Sequence, residues 1–177
     1  MPTASTPSQS TTITTAAATT TSQRPAGQLD VVGGRFLGIG NGSLLPDAVR
    51  VLGVAPVVEH DGVERSDLPP SWGACLTLPG DHWSIYADGL TLVFEGSSAD
   101  DAQLTNWVYT GGTVAGYAEM VAPDGIAIGD TRQDLFSVYQ QAADLGDAVD
   151  VYEPVSLRFG LNGDTIEWFG RVDCAAD

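Results

Sequence analysis

The pattern that decides the fold is a hairpin at residues 83–94, which read WSIYADGLTLVF. Apolar side chains recur at every second position on both sides of Asp88-Gly89, a dipeptide typical of two-residue hairpin turns. A turn at this dipeptide places Ile85 opposite Leu92 and gives the hairpin one apolar face. The sequence therefore predicts two antiparallel strands that turn this face toward a core.

A second hairpin pattern lies near the end of the chain, at residues 155–169, which read VSLRFGLNGDTIEWF. The turn signal is Asn162-Gly163, and a turn at that dipeptide pairs Leu157 with Trp168 on an apolar face. A turn one residue further along the chain would change the partners but keep the same faces. We expect a second pair of antiparallel strands here.

The other face of the predicted sheet carries a mixture of polar and aromatic side chains, with Arg158 opposite Glu167. Such a mixture is typical of a surface that is hydrated and also able to hold a partner. The side chains on this face are Tyr86, Thr91 and Val93 from the first hairpin and Ser156, Arg158, Glu167 and Phe169 from the second.

A short amphipathic helix is predicted before each hairpin. Residues 45–52 carry apolar side chains at the i, i+3, i+4 and i+7 positions, with Pro46 in the first turn and Gly53 as the stop. A similar spacing follows Thr131, which with Asp134 three residues on resembles a capping box. Both predicted helices have one apolar face, so each needs a sheet or another helix to cover it.

The order of these elements predicts an α+β protein made of two repeated units, at about residues 34–113 and 120–174. Each unit has a short helix and an antiparallel hairpin or sheet, with a further strand predicted over residues 104–109. The helices are expected to pack on one face of the sheet.

The charge of the chain excludes several classes of partner. Its 177 residues include 7 basic side chains, all of them arginine, and 23 acidic ones, which gives a formal net charge of −16. Nucleic acid and anionic membrane surfaces are polyanions, so the folded part of the chain should be repelled by both. We expect a monomer whose partner is another protein.

The first 28 residues are predicted to form a disordered tether, and residues 29–177 a folded domain. Residues 1–23 contain no charged side chain and are rich in Ser and Thr, so they offer little apolar surface to bury. Tethers of this kind commonly follow a secretion signal or a lipid anchor, which we expect to precede Met1. The alternative is a cytoplasmic protein with a flexible tail.

Cysteine usage favours an oxidising compartment. Cys75 and Cys174 are the only cysteines, and an even pair in an exported domain is a candidate disulfide. The alternative is a pair of buried free thiols. We therefore expect a secreted or envelope-tethered protein, with the bonding of the two cysteines left open.

The repeated pattern resembles a known family. The dipeptides Ile39-Gly40 and Ile128-Gly129 before the helices, and the hairpin that closes the chain, resemble the tandem repeats of the β-lactamase inhibitory proteins. They are also similar to the small single-copy lipoprotein domain of the outer-membrane assembly machinery. The resemblance covers residues 34–174 in outline. It implies a binding module in or outside the cell envelope. The chain has only two cysteines, fewer than expected of the inhibitors, so the resemblance does not extend to the inhibitors' target.

The sequence contains no motif typical of a metal site or of a catalytic nucleophile. His60 and His82 are the only histidines, and no Cys-x-x-Cys pair accompanies them. The acidic run that includes Asp144, Asp147 and Asp150 does not follow the spacing of an EF-hand loop, so it is predicted to be a solvated face. No cofactor and no metal is expected.

Aromatic residues are the candidates for partner binding. Trp107 and Tyr109 share one face of their predicted strand, Trp72 lies in a Pro-rich segment, and Tyr86 lies on the mixed face. Exposed aromatic side chains commonly anchor protein partners. The leading hypothesis is a non-catalytic, extracytoplasmic protein-binding module, either inhibitor-like or envelope-assembly-like.

Two hypotheses from other classes remain. The first is a cell-envelope hydrolase that uses a pair of carboxylates, for which Asp81 and Asp88 near Trp83 are the candidates. The second is a structural protein of the cell wall. A cleft that brings the two carboxylates together would favour the hydrolase, and an exposed aromatic face would favour the binding module.

Overall fold

The computed structural model describes residues 27–59, 81–153 and 156–171. Within these ranges the chain forms ten strands, two α-helices and one short 3-10 helix at Pro123–Gly125. The helices are α1 (Leu45–Leu52) and α2 (Arg132–Val138). The strands are β1 (Gln28–Asp30), β2 (Val57–Glu59), β3 (His82–Ala87), β4 (Leu90–Glu95), β5 (Gln103–Tyr109), β6 (Glu119–Val121), β7 (Ala143–Asp144), β8 (Ala148–Val151), β9 (Leu157–Asn162) and β10 (Thr165–Arg171).

Eight of these strands form one antiparallel sheet, in the order β2-β3-β4-β5-β10-β9-β8-β7. The strands β5 and β10 pair in the centre, and β2 and β7 lie at the two edges. A separate parallel pair joins β1 to β6. The fold class is therefore α+β, as the sequence predicts. Gln28, the last residue assigned to the tether, belongs to β1.

One hydrophobic cluster joins both helices to the sheet. From the helices it takes Leu45 and Ala48 of α1 and Leu135 of α2. From the sheet it takes alternate residues, such as Ile85 in β3 and Phe159 in β9. Because side chains alternate between the two faces of a strand, these residues define one face, which we call the core face. The opposite face is called the second face.

Local sequence signals account for the bounds of α1. Pro46 occupies the first turn, where its missing N–H needs no partner. Gly53 ends the helix with φ 68°, a left-handed conformation that glycine adopts without strain, and its N–H donates to Val49 O at 2.8 Å. The predicted helix over residues 45–52 is confirmed.

The start of α2 is fixed by the predicted capping box. Thr131 Oγ1 accepts a hydrogen bond from Asp134 N at 3.2 Å, and Asp134 Oδ2 accepts one from Thr131 N at 3.0 Å. The hydroxyl and the amide of Thr131 hold the pKa of Asp134 below its usual value, because both donate to the charged carboxylate. The predicted cap is confirmed.

The first hairpin has the predicted turn and register. Strands β3 and β4 are joined at Asp88-Gly89, and Ile85 pairs with Leu92. Gly89 adopts φ +70°, and a Cβ built there would lie 1.3 Å from Gly111 O. Glycine is required at this turn for its conformation and for the close approach of the neighbouring loop.

The second hairpin differs from the principal prediction. Asn162 pairs with Thr165, so the turn lies one residue further along than predicted, at the position of the alternative. A bulge between Ile166 and Trp168 then reverses the alternation of side chains along β10. Trp168 therefore lies on the second face and Phe169 in the core cluster, so the predicted faces of these two residues are wrong.

Candidate functional site

Two of the predicted binding aromatics are buried. Trp107 is 0% exposed and Tyr109 1% exposed, because both lie on the core face of the central strand β5. The ring of Trp107 packs edge-on against Phe36, with centroids 5.2 Å apart, and against Phe169 at 6.2 Å. The expectation that Trp107 and Tyr109 are exposed is wrong, because both side chains lie in the core cluster on a strand in the centre of the sheet.

Tyr109 has a structural role in the fold. Its hydroxyl donates to Gly112 O at 2.8 Å and accepts from Met120 N at 3.2 Å. Burial raises the pKa of Tyr109 because the phenolate would lose its hydration. These bonds connect the central strand to β6, which precedes the second helix.

Of the predicted binding residues that the structure describes, Tyr86 alone is partly exposed. It lies on the second face of β3, and its hydroxyl donates to Glu59 Oε1 at 3.0 Å. This bond joins β3 to the edge strand β2. The other predicted binding residue, Trp72, and both cysteines of the candidate disulfide, Cys75 and Cys174, lie outside the described residues.

The candidate carboxylate pair of the hydrolase hypothesis is separated by a whole strand. Asp81 directly precedes β3 and Asp88 directly follows it. At about 3.3 Å per residue, their Cα atoms lie roughly 23 Å apart, far beyond the roughly 5–9.5 Å of a glycosidase pair. Asp88 Oδ2 instead accepts a hydrogen bond from Thr113 N at 3.1 Å. The predicted pairing of these two carboxylates is wrong.

The second face carries a serine and a histidine side by side on β3. Ser84 and His82 are both buried, and Glu59 is the cross-strand partner of His82. In the part of the chain that is described, Ser84 Oγ and His82 Nδ1 have no hydrogen-bond partner. The two atoms therefore lack the mutual hydrogen bond that activates a serine nucleophile.

Two members of the acidic run are paired with arginine. Asp144 Oδ1 accepts a hydrogen bond from Arg132 at 2.5 Å and one from Gly146 N at 3.0 Å. The guanidinium of Arg132 holds the pKa of Asp144 below its usual value. Among the described residues, no group of three or more His, Cys, Asp or Glu is arranged to hold a metal ion. Asp144 therefore acts as an ion-pair partner in the fold.

Asp150 forms a bidentate pair with Arg158. The distances are 2.6 Å from Arg158 Nε to Asp150 Oδ1 and 2.8 Å from Nη2 to Oδ2, between directly opposed positions of β8 and β9. Hydrogen bonds to Asp150 raise the pKa of Arg158 further. The predicted opposition of Arg158 and Glu167 is wrong, because the shifted turn and the bulge in β10 together place Gly170 opposite Arg158.

The edge strand β2 exposes a continuous apolar segment. Residues 55–58 are all exposed, with Val57 at 47% and Val58 at 50%. We call these four residues, Ala55, Pro56, Val57 and Val58, the edge segment. Within the described ranges, β2 pairs with β3 alone. Sequence analysis missed this strand because three residues are too few to show an alternating pattern.

The opposite edge of the sheet is built differently. Strand β7 has two residues, and one of them, Asp144, is bound by Arg132. The same guanidinium also donates to Gly146 O in the following turn. Short length and fixed charge are features by which natural sheets prevent further strand pairing. The β7 edge has both features. Strand β2 is also short, with three residues, but its exposed side chains Val57 and Val58 are uncharged.

Comparison with known protein families, curated proteins and solved structures found no significant match. Over the described residues, no helix is both long and apolar enough to cross a membrane.

Proposed function

We propose that this chain is an extracytoplasmic protein-binding module, without catalytic activity of its own, that contacts its partner through the edge segment. The module is built from two copies of one unit, each with a helix followed by four strands. The observation that carries the binding proposal is the exposure of four consecutive apolar residues at the sheet edge. The partner is a protein that is basic or neutral.

The hydrogen bonds before each helix support the two-copy part of the proposal. In the first unit, Leu104 N donates to Ser43 O at 2.8 Å, and Leu104 O accepts from Gly42 N. In the second unit, Ile166 N donates to Asp130 O at 2.8 Å, and Ile166 O accepts from Gly129 N. In both units the loop before the helix is bound to the start of the last strand, β5 or β10.

The strand order agrees with this proposal. Helix α1 is followed by β2–β5 and α2 by β7–β10, and the last strand of each series lies in the centre of the sheet. An approximate twofold relation between the two copies would place β2 and β7 at equivalent edges. The two edges then differ in sequence although they are equivalent in position, which is why we assign the partner to the β2 edge.

Exposure of the edge segment supports a protein partner. Scattered apolar residues are normal on a protein surface, but a contiguous exposed apolar segment commonly marks an interaction site. The chain also carries a net charge of −16, which keeps it soluble despite this segment. The same charge favours a partner with basic residues around its own apolar contact.

The location outside the cytoplasm rests on sequence. The Ser- and Thr-rich first 23 residues and the pair Cys75 and Cys174 are typical of exported proteins with a flexible tether and one disulfide. The resemblance to β-lactamase inhibitory proteins and to the assembly lipoprotein domain points to the same compartment.

A charge-matched pair of variants tests the proposal. Val58→Lys places a charge in the edge segment, and Val32→Lys places the same charge at a valine that is 71% exposed elsewhere. Each protein, once shown by thermal melting to be folded, is immobilised and exposed to cell-envelope and secreted fractions. We expect the wild type and Val32→Lys to retain the same partner and Val58→Lys to lose it. Equal retention by all three, or retention by none, would contradict the proposal.

A further inference from the structure

We propose that β2 recognises its partner by strand addition, in which an extended segment of a basic protein pairs with the open edge of the eight-stranded sheet. This inference rests on the proposed function and specifies how the edge segment binds. The feature that carries it is the combination of exposed β-branched side chains with a strand that, over residues 27–59, 81–153 and 156–171, is paired on one side only.

In the part of the chain that the structure describes, no strand pairs with the outer side of the β2 backbone. In an antiparallel pair, successive residues point their N–H and C=O groups alternately toward the neighbouring strand and away from it. Val57 and Val58 are consecutive in β2, so one of them directs these groups away from β3. Pro56 has no N–H, which limits the donors at the beginning of the segment and sets the register of an added strand.

The side chains of the edge segment add apolar contact on both faces. Val57 is opposite Ser84, which lies on the second face, and Val58 is opposite Trp83, which packs partly buried against the core cluster. An added strand would therefore cover one valine on each face of the sheet. The partner needs apolar side chains on both faces of its own strand at this point.

Charge decides which kind of strand can be added. Pairing with a second copy of this chain would bring together two bodies that each carry a net charge of −16. The edge segment itself is uncharged, so any preference for the charge of the partner comes from the net charge of the rest of the chain. An extended segment with alternating valine and arginine has apolar groups for the valines and a positive charge that complements the net charge of the chain.

The edge segment differs from β7 in the features that oppose pairing. At β7, Arg132 binds Asp144 and the next turn, so a new strand would have to displace an ion pair. At β2, both exposed side chains are valines, which have a high preference for strands. An exposed edge of this type promotes pairing with other strands, which is the property that the proposal assigns to β2.

A pair of synthetic peptides separates strand addition from other modes of binding. The probe is a fluorescein-labelled peptide of eight residues that alternates valine and arginine. The control has the same side chains and charge but is N-methylated at alternate residues, so one edge cannot donate backbone hydrogen bonds. Fluorescence anisotropy is measured on the full chain as wild type, Val58→Lys and Val32→Lys.

We expect the wild type to bind the N-methylated peptide about tenfold more weakly than the unmodified one, because two or three backbone hydrogen bonds are lost. Val58→Lys should lose about the same factor for the unmodified peptide, and Val32→Lys should bind like the wild type. The labelled backbone amide of Val57 or Val58 should become protected from hydrogen exchange when the peptide binds.

Three outcomes would overturn strand addition. They are equal affinity for the two peptides, no binding of the unmodified peptide at millimolar concentration, and a wild-type dimer in light scattering that Val58→Lys converts to monomers. The first two leave the proposed function standing if partner capture from the envelope fractions still depends on Val58. The third identifies a second copy as the occupant of the edge.

Discussion

Replacement of Gly160 by alanine should disturb the second face of the sheet through a single contact. Gly160 lies in β9 opposite Trp168, and a Cβ built on it would be 1.9 Å from the indole Nε1 and 2.0 Å from Cε2. Carbon contacts settle at about 3.5–4.0 Å, so the indole must move by roughly 1.5–2 Å. Trp168 is 2% exposed, which leaves it little space for such a movement.

The expected cost of Gly160→Ala is about 1–3 kcal/mol, the usual range for an added methyl group in a packed interior. The assay is equilibrium unfolding in urea. The wild type and Gly160→Ala are each measured with Trp168 present and with Trp168→Leu. Leucine at this position removes the indole ring that meets the new Cβ. There the alanine should be neutral or slightly stabilising, because glycine weakens the interior of a strand.

The double-mutant cycle makes the reasoning refutable. The two substitutions should show an interaction energy of about 1 kcal/mol or more, since their contact is the origin of the cost. An equal cost of Gly160→Ala in both backgrounds would mean that the indole does not occupy this space. A cost below about 0.5 kcal/mol in the wild type would refute the close packing altogether.

Three further substitutions test other parts of the fold, each by equilibrium unfolding. Ala115→Asn should stabilise by about 0.5–1 kcal/mol, because Ala115 is exposed in a turn at φ 48° and asparagine tolerates that conformation; no gain would contradict the assigned turn. Tyr139→Phe should cost about 1 kcal/mol through the lost 2.6 Å bond to Pro123 O. Burial raises the pKa of Tyr139 from 10.0 to about 12, so its contribution is complete below pH 10 and is lost as the pH rises toward 12. The phenylalanine variant should lose less stability over that range, and identical alkaline profiles would exclude this role. Arg158→Met should cost about 1–3 kcal/mol, because it leaves Asp150 without its bidentate partner, and that cost should fall when Asp150→Asn is added.

Local sequence signals predicted the elements that are complete within a few residues. The proline and glycine around α1, the capping box of α2 and the Asp88-Gly89 turn all appear in the structure. Each signal acts through one or two backbone groups of neighbouring residues, so no distant part of the chain is needed to interpret it. The α+β class follows from these elements.

The binding residues could not be assigned in the same way. Trp107 and Tyr109 have the same alternating pattern whether their strand lies in the centre of the sheet or at its edge. Their burial depends on the pairing of β5 with β10, two strands far apart in sequence. The edge segment was missed for the converse reason, since Val57 and Val58 are ordinary strand residues until their position at the edge is known.

By itself, the sequence determined the short helices, the first hairpin, the acid excess and the α+β class, because these depend on local backbone preferences and on composition. The tertiary structure alone decided on which faces Trp168 and Phe169 lie, that Trp107 and Tyr109 are buried, and which strands are outermost in the described sheet. The bulge in β10 reverses Trp168 and Phe169, and the order of the eight strands places β2 and β7 outermost. Both are consequences of pairing between distant segments, and a one-residue change of register in such pairing moves a side chain from one face of a sheet to the other.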